Sequence, residues 1–304
     1  MRNYLLLLVL LFTLPSQALF GQRTNTTYPY SVPFQLTSHN NLSVRAVLNE
    51  QDTVKLMFHT AANAVTLTEE ALKTVKSLTF AGADSVKSWG GSNNTSRFST
   101  NNRLQIGGRT WPNTPIWENK NSGPETDGKF GIDLFEGKVI ELDFDTSRMT
   151  IHETLPSKIT QYEKLKLIVA NDMLFLEAHC MVGNQTLKNQ FLIHSGYSGA
   201  ILLDDQFVAE HKLDDVLNVI SEKELKDSFG NVIKTQKAIL PGLTIGSQPL
   251  ANVPVGFFKG ALGRQKMSIL GGDILKRFNL IIDAKREYVY LKPNRLLKTA
   301  YSAS

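Results

Sequence analysis

The sequence has a single cysteine, Cys180, in 304 residues. An internal disulfide is excluded, so a packed core must hold the fold. Cys180 lies in the strand-like run Leu174–Val182 and reads as a small buried hydrophobe. Beyond the N-terminus there is no apolar run long enough to cross a bilayer, so no membrane span is expected. Runs of one charge sign are missing too. The formal net charge is +5, with basic residues interspersed among acids, as in Lys223-Glu224-Leu225-Lys226-Asp227. That is a solvated surface and not a nucleic-acid footprint, which needs cations gathered on one face. No phosphate-cradling glycine loop or dinucleotide fingerprint occurs. Gly196-Tyr197-Ser198-Gly199 is not a nucleophile elbow, because its second glycine comes one residue early.

What is present begins with an export signal. Met1–Tyr4 carries a positive charge, Leu5–Leu14 is a short apolar core, and Ser16-Gln17-Ala18 supplies small residues for cleavage. Residues 1–21 therefore read as a cleaved signal peptide, and the expected location is secreted or periplasmic. The rest looks built twice. Phe58-His59-Thr60-Ala61-Ala62 and Ile193-His194-Ser195-Gly196-Tyr197 share one layout: an apolar strand, His, a hydroxyl residue, then small residues before an apolar return. A second pair follows in the same order, Phe130-Gly131-Ile132-Asp133-Leu134 and Leu270-Gly271-Gly272-Asp273-Ile274. Asp143 aligns with Asp283, and Ile151 with Leu291, at that same spacing. So long a period means two duplicated lobes, not a solenoid.

Alternation over Leu42–Ala46 predicts a strand. Gly90-Gly91, Gly107-Gly108, Gly183-Asn184 and Gly230-Asn231 predict hairpins. Helices are expected only after Thr68 and Asp204, each a cap followed by acidic residues. Asp133 and Asp273 read as helix or turn caps, and Asp143 and Asp283 as turn residues. The fold class is all-β, with a first lobe over 22–155, a second over 156–293, and a basic tail, 294–304, expected to fray.

These paired motifs resemble the active-site loops and the following glycine segments of retropepsin-like and pepsin-like aspartic proteases, of the secreted bacterial type with both repeats in one chain. The resemblance covers about residues 40–293. It implies a bilobal acid-protease fold with one short helix after each active-site loop. It places His59 and His194 at the two catalytic aspartate positions, with Thr60 and Ser195 as hydroxyls that bond across the pair. It also places Trp89, Gly90 and Gly91 on a covering hairpin and, with Tyr197, makes them candidate substrate contacts. The family requires no cofactor. Ala61 replaces the glycine that the second loop keeps as Gly196.

Two carboxylates sharing one proton supply both an acid and a base. Two imidazoles invert that logic: both are neutral near neutral pH, and the first proton opposes the second. Three functions stay open. One is a pseudoprotease that binds a peptide or an unfolded protein segment as a monomer. Another is a hydrolase using His59 and His194 as acid and base. The third uses the same histidines as half of a tetrahedral Zn site or as a two-coordinate Cu site.

Overall fold

The computed structural model describes residues 28–87, 93–226, 232–258 and 265–302. The expected signal peptide, the tips carrying Gly90-Gly91 and Gly230-Asn231, and Trp89 lie outside the described residues.

The first half runs β1 (Tyr30–Pro33), β2 (Gln35–Leu36), β3 (Leu42–Leu48), β4 (Asp52–Phe58), β5 (Val65–Thr68) and α1 (Glu69–Leu72). It continues with β6 (Phe80–Lys87), β7 (Asn93–Ile106), β8 (Arg109–Asn119), β9 (Gly128–Phe130), the 3-10 turn η1 (Ile132–Phe135), β10 (Val139–Asp143) and β11 (Arg148–His152). The turn η2 (Ser157–Gln161) leads into the second half. There follow β12 (Glu163–Ala170), β13 (Met173–Val182), β14 (Gln185–His194), β15 (Ile201–Leu202), α2 (Asp205–Glu210) and α3 (Leu213–Val216). Last come β16 (Val219–Lys226), β17 (Val232–Ile245), β18 (Gln248–Phe257), β19 (Ser268–Gly271), α4 (Gly272–Leu275), β20 (Phe278–Ile282) and β21 (Tyr288–Pro293).

The protein is mainly β, with one closed six-stranded barrel in each half. The pairing scheme is the same twice. In the first half β3-β4-β9-β5-β8-β7 closes through β3–β7, and in the second β13-β14-β19-β15-β18-β17 closes through β13–β17. In each barrel the strand entering a His loop runs parallel to a glycine-segment strand, β4 with β9 and β14 with β19. Local chemistry repeats as well. Thr68 and Asp204 share φ −74 and ψ 152, and each side chain accepts the N–H three residues on, at 3.1 and 2.7 Å. The Gly107 and Gly183 hairpins turn through positive φ of 59° and 57°, which glycine adopts freely. Both flank antiparallel pairs in register, Ile106 with Arg109 and Val182 with Gln185.

A shared sheet joins the halves. Its order is β1-β11-β10-β20-β21-β12, with β10 and β20 antiparallel at the centre, Ile140 opposite Ile282. The main hydrophobic core runs through both halves, from Leu42 and Phe58 to Phe191 and Leu291. Cys180 is fully buried in it, and burial pushes its thiol up to about 12.

Three expectations need correcting. The tail does not fray over 294–302. Arg277 is only 1% exposed and donates to the carbonyls of Leu296, Leu297, Thr299 and Ala300, while Tyr301 lies against its guanidinium. A buried guanidinium needs acceptors, and the tail carbonyls supply them. Asp273 is not a helix cap: Gly271 holds that place with no side-chain bond, and Asp273 instead pairs with Lys276 and Arg277 and accepts the Ser302 N–H. Asp133 likewise sits inside η1, whose cap is Gly131. The short helix expected after each loop is present as α1 and α2; α3 follows α2 directly, and α4 follows the second glycine segment. Asp143 and Asp283 do hold turns, accepting the N–H groups of Asp145 and Tyr288.

Candidate functional site

The two barrels present their His loops to each other. The imidazoles of His59 and His194 lie with ring centroids 4.5 Å apart and planes at 61°, edge to face. Each His follows the last residue of a buried apolar triplet, Leu56-Met57-Phe58 and Phe191-Leu192-Ile193. These triplets anchor the strand ends rigidly and leave the next residue free to face the other half. Each loop then turns in the same way. Ala62 N–H donates to His59 C=O and Tyr197 N–H to His194 C=O, both at 3.1 Å.

The hydroxyl residues cross between halves. Thr60 Oγ1 donates to Ile193 C=O at 2.6 Å and accepts the Ser195 N–H at 3.0 Å. Ser195 Oγ donates to Phe58 C=O at 2.7 Å and accepts the Thr60 N–H at 3.0 Å. All four bonds are buried, and they form a two-fold lattice under the imidazoles. Asn41, from the turn before β3, adds an amide bond to Ser195 C=O at 3.0 Å. The glycine segments press from behind. A Cβ on Gly131 would lie 1.9 Å from Ala62 O, and one on Gly271 would lie 2.2 Å from Gly199 O, so only glycine fits.

The rings themselves break the symmetry. His59 lies over Gly196, where an added Cβ would stand 2.3 Å from its Cδ2. The equivalent place in the first loop is Ala61, which carries a Cβ. His59 Nδ1 accepts the Ala61 N–H at 3.1 Å, which leaves its neutral ring protonated on Nε2. His194 Nδ1 is buried with no hydrogen-bond partner among the described residues. Burial, the second imidazole and Lys129 hold His59 well below the usual imidazole value, and burial with Lys129 pulls His194 down to about 4. Both rings are therefore neutral at neutral pH. No carboxylate among the described residues acts on either.

Of the candidate contacts, Tyr197 packs on Leu202, Ile269 and Phe258 beside the second loop; Trp89, Gly90 and Gly91 lie outside the described residues. As metal ligands the pair is short of donors: no group of three His, Cys, Asp or Glu able to hold an ion occurs among the described residues. Two imidazoles, one with Nδ1 already engaged, fit a four-coordinate Zn site poorly. A separate cavity of about 460 Å³ opens beside α2, lined by Asn189, Asp204, Phe207 and His211 among others, and contains neither imidazole. The sequence reading missed Lys129 and Asn41. Lys129 alone had a signal, standing in Gly128-Lys129-Phe130 where the second repeat has Ser268-Ile269-Leu270. No protein-family model matches this chain, and no curated protein matches it.

Proposed function

We propose that this chain is a bilobal acid-protease relative built from two retropepsin-like repeats, and that it binds peptide segments between its lobes without aspartic peptidase chemistry. The observation that carries this is the neutral, carboxylate-free pair His59/His194, held by an intact hydroxyl lattice at the meeting point of the two loops. Aspartic catalysis needs one carboxylate to take a proton from water and another to give one to the carbonyl. Here the neighbouring charge is the cation Lys129, so a negative field around the nucleophilic water is lacking. What persists is the support for a binding surface: two matched barrels, a shared sheet and fixed loops. The partner in this reading is an extended peptide or an unfolded protein segment, met by a monomer outside the cytoplasm.

The test is a peptide-library digest from acid to mildly alkaline pH, run beside a binding measurement on the same peptides. We expect binding without cleavage and no tight binding of pepstatin-type inhibitors, which place a hydroxyl between two aspartates. Cleavage near neutral pH that His59→Gln abolishes would replace this reading with imidazole acid–base catalysis. Cleavage that needs added Zn or Cu would replace it with a metal site.

A further inference from the structure

The tail does more than supply carbonyls to Arg277. A chain of buried polar contacts leads from it to the second His loop. Ser302 N–H donates to Asp273 Oδ2 at 2.7 Å, and Asp273 also pairs with Lys276 Nζ at 2.8 Å. Lys276 Nζ donates in turn to Asn40 Oδ1 at 2.8 Å. Asn40 Nδ2 donates to Ser302 Oγ at 3.1 Å and to Ser198 C=O, in the second loop, at 2.8 Å. Asp273, Lys276 and Asn40 are all buried. Asn40 comes from the first half and holds φ at 61°, a left-handed conformation that asparagine tolerates. Its backbone lies close against α4, where a Cβ on Gly272 would stand 2.4 Å from Asn40 O.

The backbone at the start of α4 makes the same connection. Gly271 N–H donates to Ala200 C=O at 2.8 Å, Gly272 N–H to Tyr197 C=O at 2.7 Å, and Asp273 N–H to Gly199 C=O at 3.3 Å. Thus α4 holds the second loop by its N–H groups and the tail by the side chains of Asp273, Lys276 and Arg277. The first half is built otherwise. At the constant spacing of the repeats, Glu136 and Gly137 stand in the places of Lys276 and Arg277. Asp133, in the place of Asp273, is surrounded by its own turn and has no basic partner among the described residues.

We propose that residues 296–302 are a strap that fixes the second His loop, with Asn40 as the positioning residue that carries its hold to Ser198. The strap acts on one loop of the pair. Its release loosens the backbone that follows His194 and leaves the backbone that follows His59 as it was. A change confined to the tail thus reaches the site through buried bonds, whatever the cleft binds.

The test is amide hydrogen exchange, read residue by residue by NMR, on the full chain and two variants. One variant ends at Ala300, which keeps the four tail carbonyls that Arg277 uses and removes Ser302. The other is Asn40→Asp, which keeps an acceptor for Lys276 and loses both amide donations. Tyr197 N–H, bonded to His194 C=O, should exchange about fivefold to tenfold faster in each variant, the worth of one neutral hydrogen bond. Ala62 N–H, bonded to His59 C=O in the first loop, should keep its rate. Equal acceleration of both amides means general destabilisation and overturns the strap, as does an unchanged Tyr197 rate in either variant. Should the shortened chain fail to fold, Asn40→Asp decides between these outcomes by itself.

Discussion

The imidazole pair makes the protein sensitive to acid. An unfolded His titrates at about 6.5, whereas His194 is pulled down to about 4 and His59 lies well below its ordinary value. The unfolded chain therefore binds more protons in this window, and stability rises with pH across it. Read downward, the contribution is complete above the unfolded value and is lost as pH falls toward the folded one. Between about pH 7 and pH 5, His194 alone should remove about 2 kcal/mol of unfolding free energy. Urea unfolding at the two pH values measures this, with His59→Gln/His194→Gln as the comparison. The double variant should show a flatter dependence, and equal slopes for the two proteins would rule out the buried, neutral pair. The histidines outside the loops have other roles: His152 bonds Glu141 at 2.8 Å, and His211 packs edge-on against Phe207.

Among the elements, the His loops depend on one another through four hydrogen bonds. Thr60→Ala removes a donor to Ile193 and an acceptor for Ser195, leaving both backbone groups buried and unpaired. Each alanine variant should cost about 1–3 kcal/mol, and the Thr60→Ala/Ser195→Ala pair should cost less than the sum. Thr60→Ser keeps the hydroxyl and should retain most of the stability. A double-mutant cycle by urea unfolding decides the matter: strict additivity would mean that the two residues act independently. How legible these elements were varies with how local their causes are. The helix caps Thr68 and Asp204, the glycine hairpins and the paired loops rest on residues adjacent in sequence, so they could be read directly. The tail around Arg277 could not, because its acceptors lie about 20 residues away and belong to Leu296–Ala300, which have no pattern of their own. Nor could the role of Asn41, whose bond to Ser195 joins residues 154 apart in sequence. Lys129 was legible, since the constant spacing of the repeats sets it against Ile269, whereas the burial that lowers its ammonium emerges only from the fold.

At the scale of the molecule, two barrels joined through β10 and β20 should unfold together. The chain offers a separate reporter for each half. All three tryptophans, Trp89, Trp111 and Trp117, belong to the first half, and the single thiol, Cys180, is buried in the second. Tryptophan fluorescence and thiol labelling, followed through one urea titration, should trace superimposable transitions. A thiol that reacts well before the fluorescence changes would show that the second barrel opens alone. The covalent link through η2 has a consequence of another kind. Were the two halves separate identical chains, every substitution would appear on both sides of the axis, and no position could be changed on one side alone. Tethering removes that restriction. Gly196 can stay bare under an imidazole while its counterpart becomes Ala61, and Ile269 can stay apolar while its counterpart becomes Lys129. The linker thus lets a symmetric frame carry two different surfaces; in the peptide-binding reading, a bound chain, which has an N-terminus and a C-terminus, could then be told from its own reversal.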